Sequence, residues 1–401
     1  MVSANAFKIA DFTIPDAGSD TLRRVLSRVW PALVRDLREL PRAEGAPRDL
    51  YARVVTGVAA LWSSDPSAAV RLARRPTLAP RVRIARADPS RLSLSAHLGL
   101  LLDLAMELSA IGAFGAPLRV VRPPSGWRPL RAPTLGVEVL LEDAVSWISF
   151  EDGALSVDGR RAELDASLRT SPGFIVRAAW RAIDGRVSLA LVDDNPAAMS
   201  ALHPDRAGNA LDLGAKSPEA WCDALREALA IVDAFMPTLT PERRLLAQVI
   251  VPVGVDDERH DSCTYEGAPG AMYLSLHPDP VKLAEAIVHE FQHDKLHALM
   301  RLDALLENGR EEGFRSPVRP DPRPLRGVLL AAHAFLAVAE MYRAMRASGH
   351  AATRHPRFDA RVEAVRVANV EALAVLRERA RVTAVGGQLL EELVKHAQRL
   401  T

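Results

Sequence analysis

The sequence predicts an α+β fold, mostly helical, with a central antiparallel sheet and an HExxH motif in its C-terminal helical half. Three observations carry this. Apolar residues recur at helical spacing in both end regions. Between Leu118 and Leu191 the period changes to two, with Asp-Gly pairs at hairpin positions. Near residue 289 a long apolar segment carries two histidines four residues apart.

The chain has 401 residues, 48% hydrophobic and 25% charged, enough for two or three domains. We expect a helical region over 1–115, an antiparallel β region over 116–200 and a mainly helical region over 216–401. In the first, Leu22, Val25, Leu26, Val29, Leu33 and Val34 mark a helix within 19–45, with Ser19 as a cap and Pro31 as a kink or break. Two further helices, 48–63 and 66–75, meet at Asp65-Pro66. Residues 90–112 are apolar on most faces and predict a buried helix.

The β region reads LRVVR, VEVLL, VSWISF, ALSVDG, GFIVRAAWRAI and RVSLALV. Asp152-Gly153, Asp158-Gly159 and Asp184-Gly185 stand at its turns. After a loop, helices resume at 217–235 and 241–247, followed by strands at 247–253 and 271–276. Helices at 280–307, near 325–347, at 357–382 and at 386–399 complete the chain. The polar, Pro-rich stretch 308–324 reads as a loop beside the motif.

Composition limits function. A net charge of +1 gives no bulk attraction to nucleic acid or an anionic membrane. No apolar run reaches the roughly 18 residues of a spanning helix, and no signal-like segment opens the chain. Cys222 and Cys263 are far apart and match no zinc-ligand spacing. We therefore expect a cytoplasmic protein with no nucleic-acid or membrane partner.

The motif is His289-Glu290-Phe291-Gln292-His293. Asp279 and Pro280 suit a helix start, and Gly309 a helix end. Four residues is one turn, so both imidazoles project from one face and can share a divalent ion. Leu283, Ile287, Val288, Phe291, Leu296 and Leu299 are apolar, and imidazoles among them need partners. Zincins with HExxHxxGxxH do not match: Leu296 and Leu299 stand where the Gly and the third His belong. His297 reads as a core histidine near the same face. The next helix offers His333 and Glu340, seven apart on one face, as candidates for a third ligand. Glu290 is either the general base of a zinc hydrolase or a group that orients a ligand or water.

The run GAMYLSLHPDPVKLAEAIVHEFQHDKLHALMRLDALL, followed by SPVRPDPRPLRGVLLAAHAFLAVAEMY, resembles the HExxH domain associated with ribosomally made, post-translationally modified peptides. That family is described as iron(II)- and 2-oxoglutarate-dependent peptide β-hydroxylases. The resemblance is sharpest over about residues 269–345, in HEFQH with Lys295-Leu296 and in Asp321-Pro322-Arg323-Pro324-Leu325. Residues 311–314 depart from the family's small, polar loop. The resemblance implies iron(II) held by His289, His293 and His333, with Arg319 or Arg323 gripping the 2-oxoglutarate carboxylate as a bidentate fork. It further implies a precursor peptide as substrate and a companion peptide maturase. The alternative on the residues alone is a zinc-dependent metallopeptidase with Glu290 as general base.

Overall fold

The computed structural model describes residues 8–165, 167–200, 208–258, 260–316 and 319–400. The first helices are α1 (Thr21–Arg38), α2 (Arg48–Ser64), α3 (Pro66–Ala73), α4 (Ala79–Ala87) and α5 (Leu94–Ala110). α1 runs through Pro31 without dividing. Asp65 both ends α2 and caps α3, its carboxylate accepting from the Ala68 amide at 2.9 Å. The apolar sequence of α5 is explained by burial on nearly every face.

Two four-stranded antiparallel sheets follow. One has the order β1 (Leu118–Val121), β4 (Trp147–Glu151), β5 (Ala154–Val157), β6 (Arg160–Ala162). The other is β2 (Leu130–Ala132), β3 (Val137–Leu141), β8 (Phe174–Ala178), β7 (Arg169–Ser171). Asp152-Gly153 and Asp158-Gly159 form the turns flanking β5, where Asp158, Gly153 and Gly159 hold φ of 44°, 70° and 83°, the left-handed region that Asp and Gly tolerate. These sheets and α2 to α5 share one apolar core.

The second core holds the motif. β9 (Trp180–Ala182) and β10 (Ser188–Ala190) leave the antiparallel region and join β11 (Val249–Val255), β12 (Ser262–Thr264) and β13 (Ala271–Leu276) in a mixed sheet of order β12-β13-β11-β10-β9. β11 pairs parallel to both β10 and β13, and β12 is an antiparallel edge. The short α6 (Pro196–Met199), then α7 (Pro218–Phe235) and α8 (Thr240–Leu246), precede β11. The motif helix α9 (Pro280–Met300) packs on this sheet, on α7 and on α10 (Leu325–Ala347); α11 (Pro356–Arg379) and α12 (Ala384–Leu400) close the far side. Among the described residues α10 alone is long and apolar enough to cross a membrane, and it lies mostly buried in this core.

Two expectations are corrected. α9 stops at Met300, not at Gly309; beyond it Leu305 turns left-handed at φ 63°, and its carbonyl accepts from the Thr383 amide in the segment before α12. The Pro-rich stretch is not all loop. It contains a hairpin of β14 (Phe314–Ser316) and β15 (Arg319–Arg323), in which prolines are tolerated because a two-stranded ribbon has free edges. Ionic contacts tie the two cores together: Arg81 donates to Asp103 at 2.6 Å, and Arg81 and Arg131 both pair with Asp194, just after β10.

Candidate metal centre

α9 starts where Asp279 accepts from the Val281 amide at 2.9 Å and Pro280 fills the first turn, the capping chemistry expected of Asp-Pro. The helix is then buried over most of its length, and its polar side chains are placed by tertiary contacts. His289 and His293 lie one turn apart, with ring centroids 4.4 Å apart and planes at 80°. Ligand atoms of His289, Glu290 and His293 all lie within 4.8 Å of one another. Two imidazoles gathered this closely could share a divalent transition metal, with the Glu290 carboxylate beside them. The imidazoles are partly exposed and Glu290 is buried.

The surrounding groups orient this set. The Ser262 hydroxyl, on edge strand β12, donates to Glu290 Oε1 at 2.7 Å. Phe335 of α10 packs edge-on against the His289 ring at 4.6 Å. One turn before His289, Glu285 is buried and takes a two-pronged guanidinium from Arg361 and the Tyr342 hydroxyl. Those donors hold its carboxyl below the usual range against the opposing effect of burial. His289 and Glu285 border a cavity of ≈ 580 Å³ whose other walls include His260, Ser262, Lys282 and Arg361. Ligand pockets run roughly 300–1,000 Å³, so there is room for a small cosubstrate beside part of a larger molecule.

The structure brings His289, Glu290 and His293 together and leaves the other expected site residues elsewhere. His333 is fully buried, but against the Phe12 ring at 5.7 Å and near Lys295. Two residues along a helix is about 200° of rotation, so with Phe335 facing His289, His333 faces away. Its ring nitrogens, both buried without a hydrogen-bond partner, lie outside the close group of ligand atoms that His289, Glu290 and His293 form. Glu340 is paired to Arg343 at 2.8 Å on a different surface. His297 is buried near Glu266 and Arg326, and burial pushes its pKa down to about 4. Arg323 lies on β15 and is not among the described residues lining the cavity. Arg319 is on the same strand, and its side chain lies outside the described residues.

Sequence reasoning missed His260, Ser262, Lys282, Glu285 and Arg361. Glu285 and Lys282 carried a local signal, four and seven residues before His289 and therefore on the same face. The others arrive from β12, α11 and the connection before β12. No protein-family model matches this chain, and no curated protein matches it.

Proposed function

We propose that the chain is an iron(II)- and 2-oxoglutarate-dependent oxygenase that hydroxylates a peptide Cβ–H in a ribosomally made precursor, working in the cytoplasm alongside a companion peptide maturase. The observation that carries a metal-dependent activity is the convergence of His289, Glu290 and His293 within 4.8 Å beside a roomy cavity. The choice of oxygenase rests on the resemblance of residues 269–345 to the HExxH peptide-hydroxylase family.

The residues fit the cofactors in the following way. His289 and His293, as neutral imidazoles, would hold the metal. Iron(II) with 2-oxoglutarate and dioxygen supplies oxidative decarboxylation of the oxoacid to succinate and carbon dioxide, with the second oxygen atom entering a C–H bond. A dicarboxylate needs a cation at its far end, and the cavity wall presents Lys282 and Arg361. The Arg361 fork is already committed to Glu285. Among the described residues Lys282 contacts the His277 ring, at 3.1 Å, and an ammonium has three donors. Lys282 is therefore the better anchor. Phe335, Ala286 and Val253 contribute apolar wall to the cavity. Glu290, fixed by Ser262, orients a ligand or a water.

One observation favours a second reading, a zinc-dependent metallopeptidase. Glu290 is buried and held beside both imidazoles, where a general base for a bound water belongs. Mass spectrometry separates the two. The purified protein with iron(II), 2-oxoglutarate, oxygen and a candidate precursor should form succinate, and the peptide should gain one oxygen atom. Cleavage products with zinc and no oxoacid, and no succinate with iron, would end the oxygenase proposal.

A further inference from the structure

The two imidazoles of α9 come from one helix turn, and a metal held only by them would be poorly fixed. Three protein ligands are what hold such an ion while leaving positions open for chemistry. α10 does not supply the third, because it presents Phe335 to His289 and buries His333 against Phe12. The cavity wall holds another imidazole. His260 lies in the connection between β11 and β12, two residues before the serine that fixes Glu290.

Two observations set His260 apart from an ordinary wall residue. Its Nε2 is buried and makes no hydrogen bond, an unfavourable state for a polar atom and one that a ligand relieves. Its neighbourhood is shared with the centre: the Glu285 carboxylate acts electrostatically on both His260 and His289. Glu285 is itself locked by Arg361 and Tyr342, the arrangement by which an outer carboxylate orients metal-bound imidazoles.

We infer that His260 is the third protein ligand of the His289/His293 metal centre, drawn in by the ion through the connection between β11 and β12. In the structure His260 stands outside the tight group of ligand atoms, so ion binding must bring the His260 imidazole towards that group. The inference rests on the reading of His289 and His293 as a metal site. It makes the ligand set three imidazoles, two from a helix and one from a loop beside the sheet edge. Glu290 then remains outside the set.

The test uses cobalt(II) as a probe ion, because its visible bands report ligand number and geometry. The full-length wild-type protein and its His260→Ala, Asp261→Ala and His289→Ala variants are titrated, and the melting temperature of each is recorded with and without the ion. His260→Ala should melt as the wild type does without metal, lose most of the cobalt-induced rise in melting temperature, and bind cobalt more weakly than the ~10–100-fold expected of an outer partner. Its band pattern should also change. Asp261→Ala should retain wild-type binding and spectrum. Wild-type affinity and spectrum in His260→Ala, with binding lost in His289→Ala, would overturn the assignment of His260 and leave the centre standing. A loss confined to Asp261→Ala would overturn it in favour of the neighbouring carboxylate. Absence of cobalt binding by the wild type would overturn the centre and this inference together.

Discussion

The Ser262 hydroxyl donates to Glu290 Oε1 at 2.7 Å, joining the edge strand of the mixed sheet to the HExxH turn of α9. Strand and helix meet through this contact at the cavity wall. It fixes one oxygen of the buried Glu290 carboxylate beside the imidazole pair.

Removing that hydroxyl therefore tests orientation without touching a ligand. Ser262→Ala should keep full metal stoichiometry, lose about 1 kcal/mol of stability, and turn over more slowly. Glu290→Gln keeps shape and removes charge. In an oxygenase it should weaken metal binding or coupling by ~10–100-fold, as changes to an outer group do. In a hydrolase it should nearly abolish turnover, because the attacking water loses its base. Metal analysis alongside steady-state rates of both variants decides between these outcomes.

His333→Ala should behave as a core mutation. The imidazole is fully buried against Phe12, near the buried Lys295–Glu242 pair. Its loss leaves a hole beneath the segment whose Phe12 and Thr13 amides donate to Glu392. We expect a stability loss of about 2–4 kcal/mol with metal stoichiometry unchanged. Denaturant unfolding and metal analysis of the same sample check both halves, and loss of metal in a folded His333→Ala protein would restore it as a ligand.

These placements show what the sequence made legible. His289 and His293 were readable because helix geometry alone puts residues four apart on one face. His333 was not. Sequence spacing says which residues share a face, here His333 and Glu340, but not which neighbour that face meets, and Phe335 took the position beside His289. The hairpins at Asp152-Gly153 and Asp158-Gly159 were local and legible. The transfer of β9 and β10 to the mixed sheet depends on pairing with β11, some sixty residues later, and no local pattern encodes it. Likewise Ser262 and Arg361 reach the cavity from elements whose sequences carry no metal-site signature.

Acid titration gives a prediction away from the centre. Asp193, after β10, accepts from the Tyr273 hydroxyl at 3.0 Å, yet burial pushes its pKa from 3.8 up to about 6. The folded protein thus holds a proton between about pH 4 and pH 6 that the unfolded chain has released. Asp193 then contributes stability that is fully present below pH 4, falls as pH rises through this window and is constant above it. Asp193→Asn should remove that fall. Unfolding free energies of the two proteins from pH 4 to 7 should diverge across the window, the asparagine variant gaining relative to wild type as pH rises. Parallel curves would show that Asp193 does not titrate there.

The central claim is that His289 and His293 jointly hold one divalent ion. Its most direct test is the metal content of purified wild-type, His289→Ala and His293→Ala proteins, by elemental analysis after reconstitution with iron(II) under anaerobic conditions. The account predicts about one equivalent in the wild type and close to none in either variant, because two ligands from adjacent turns act together. Undiminished occupancy in either single variant, or no bound metal in the wild type, would contradict it.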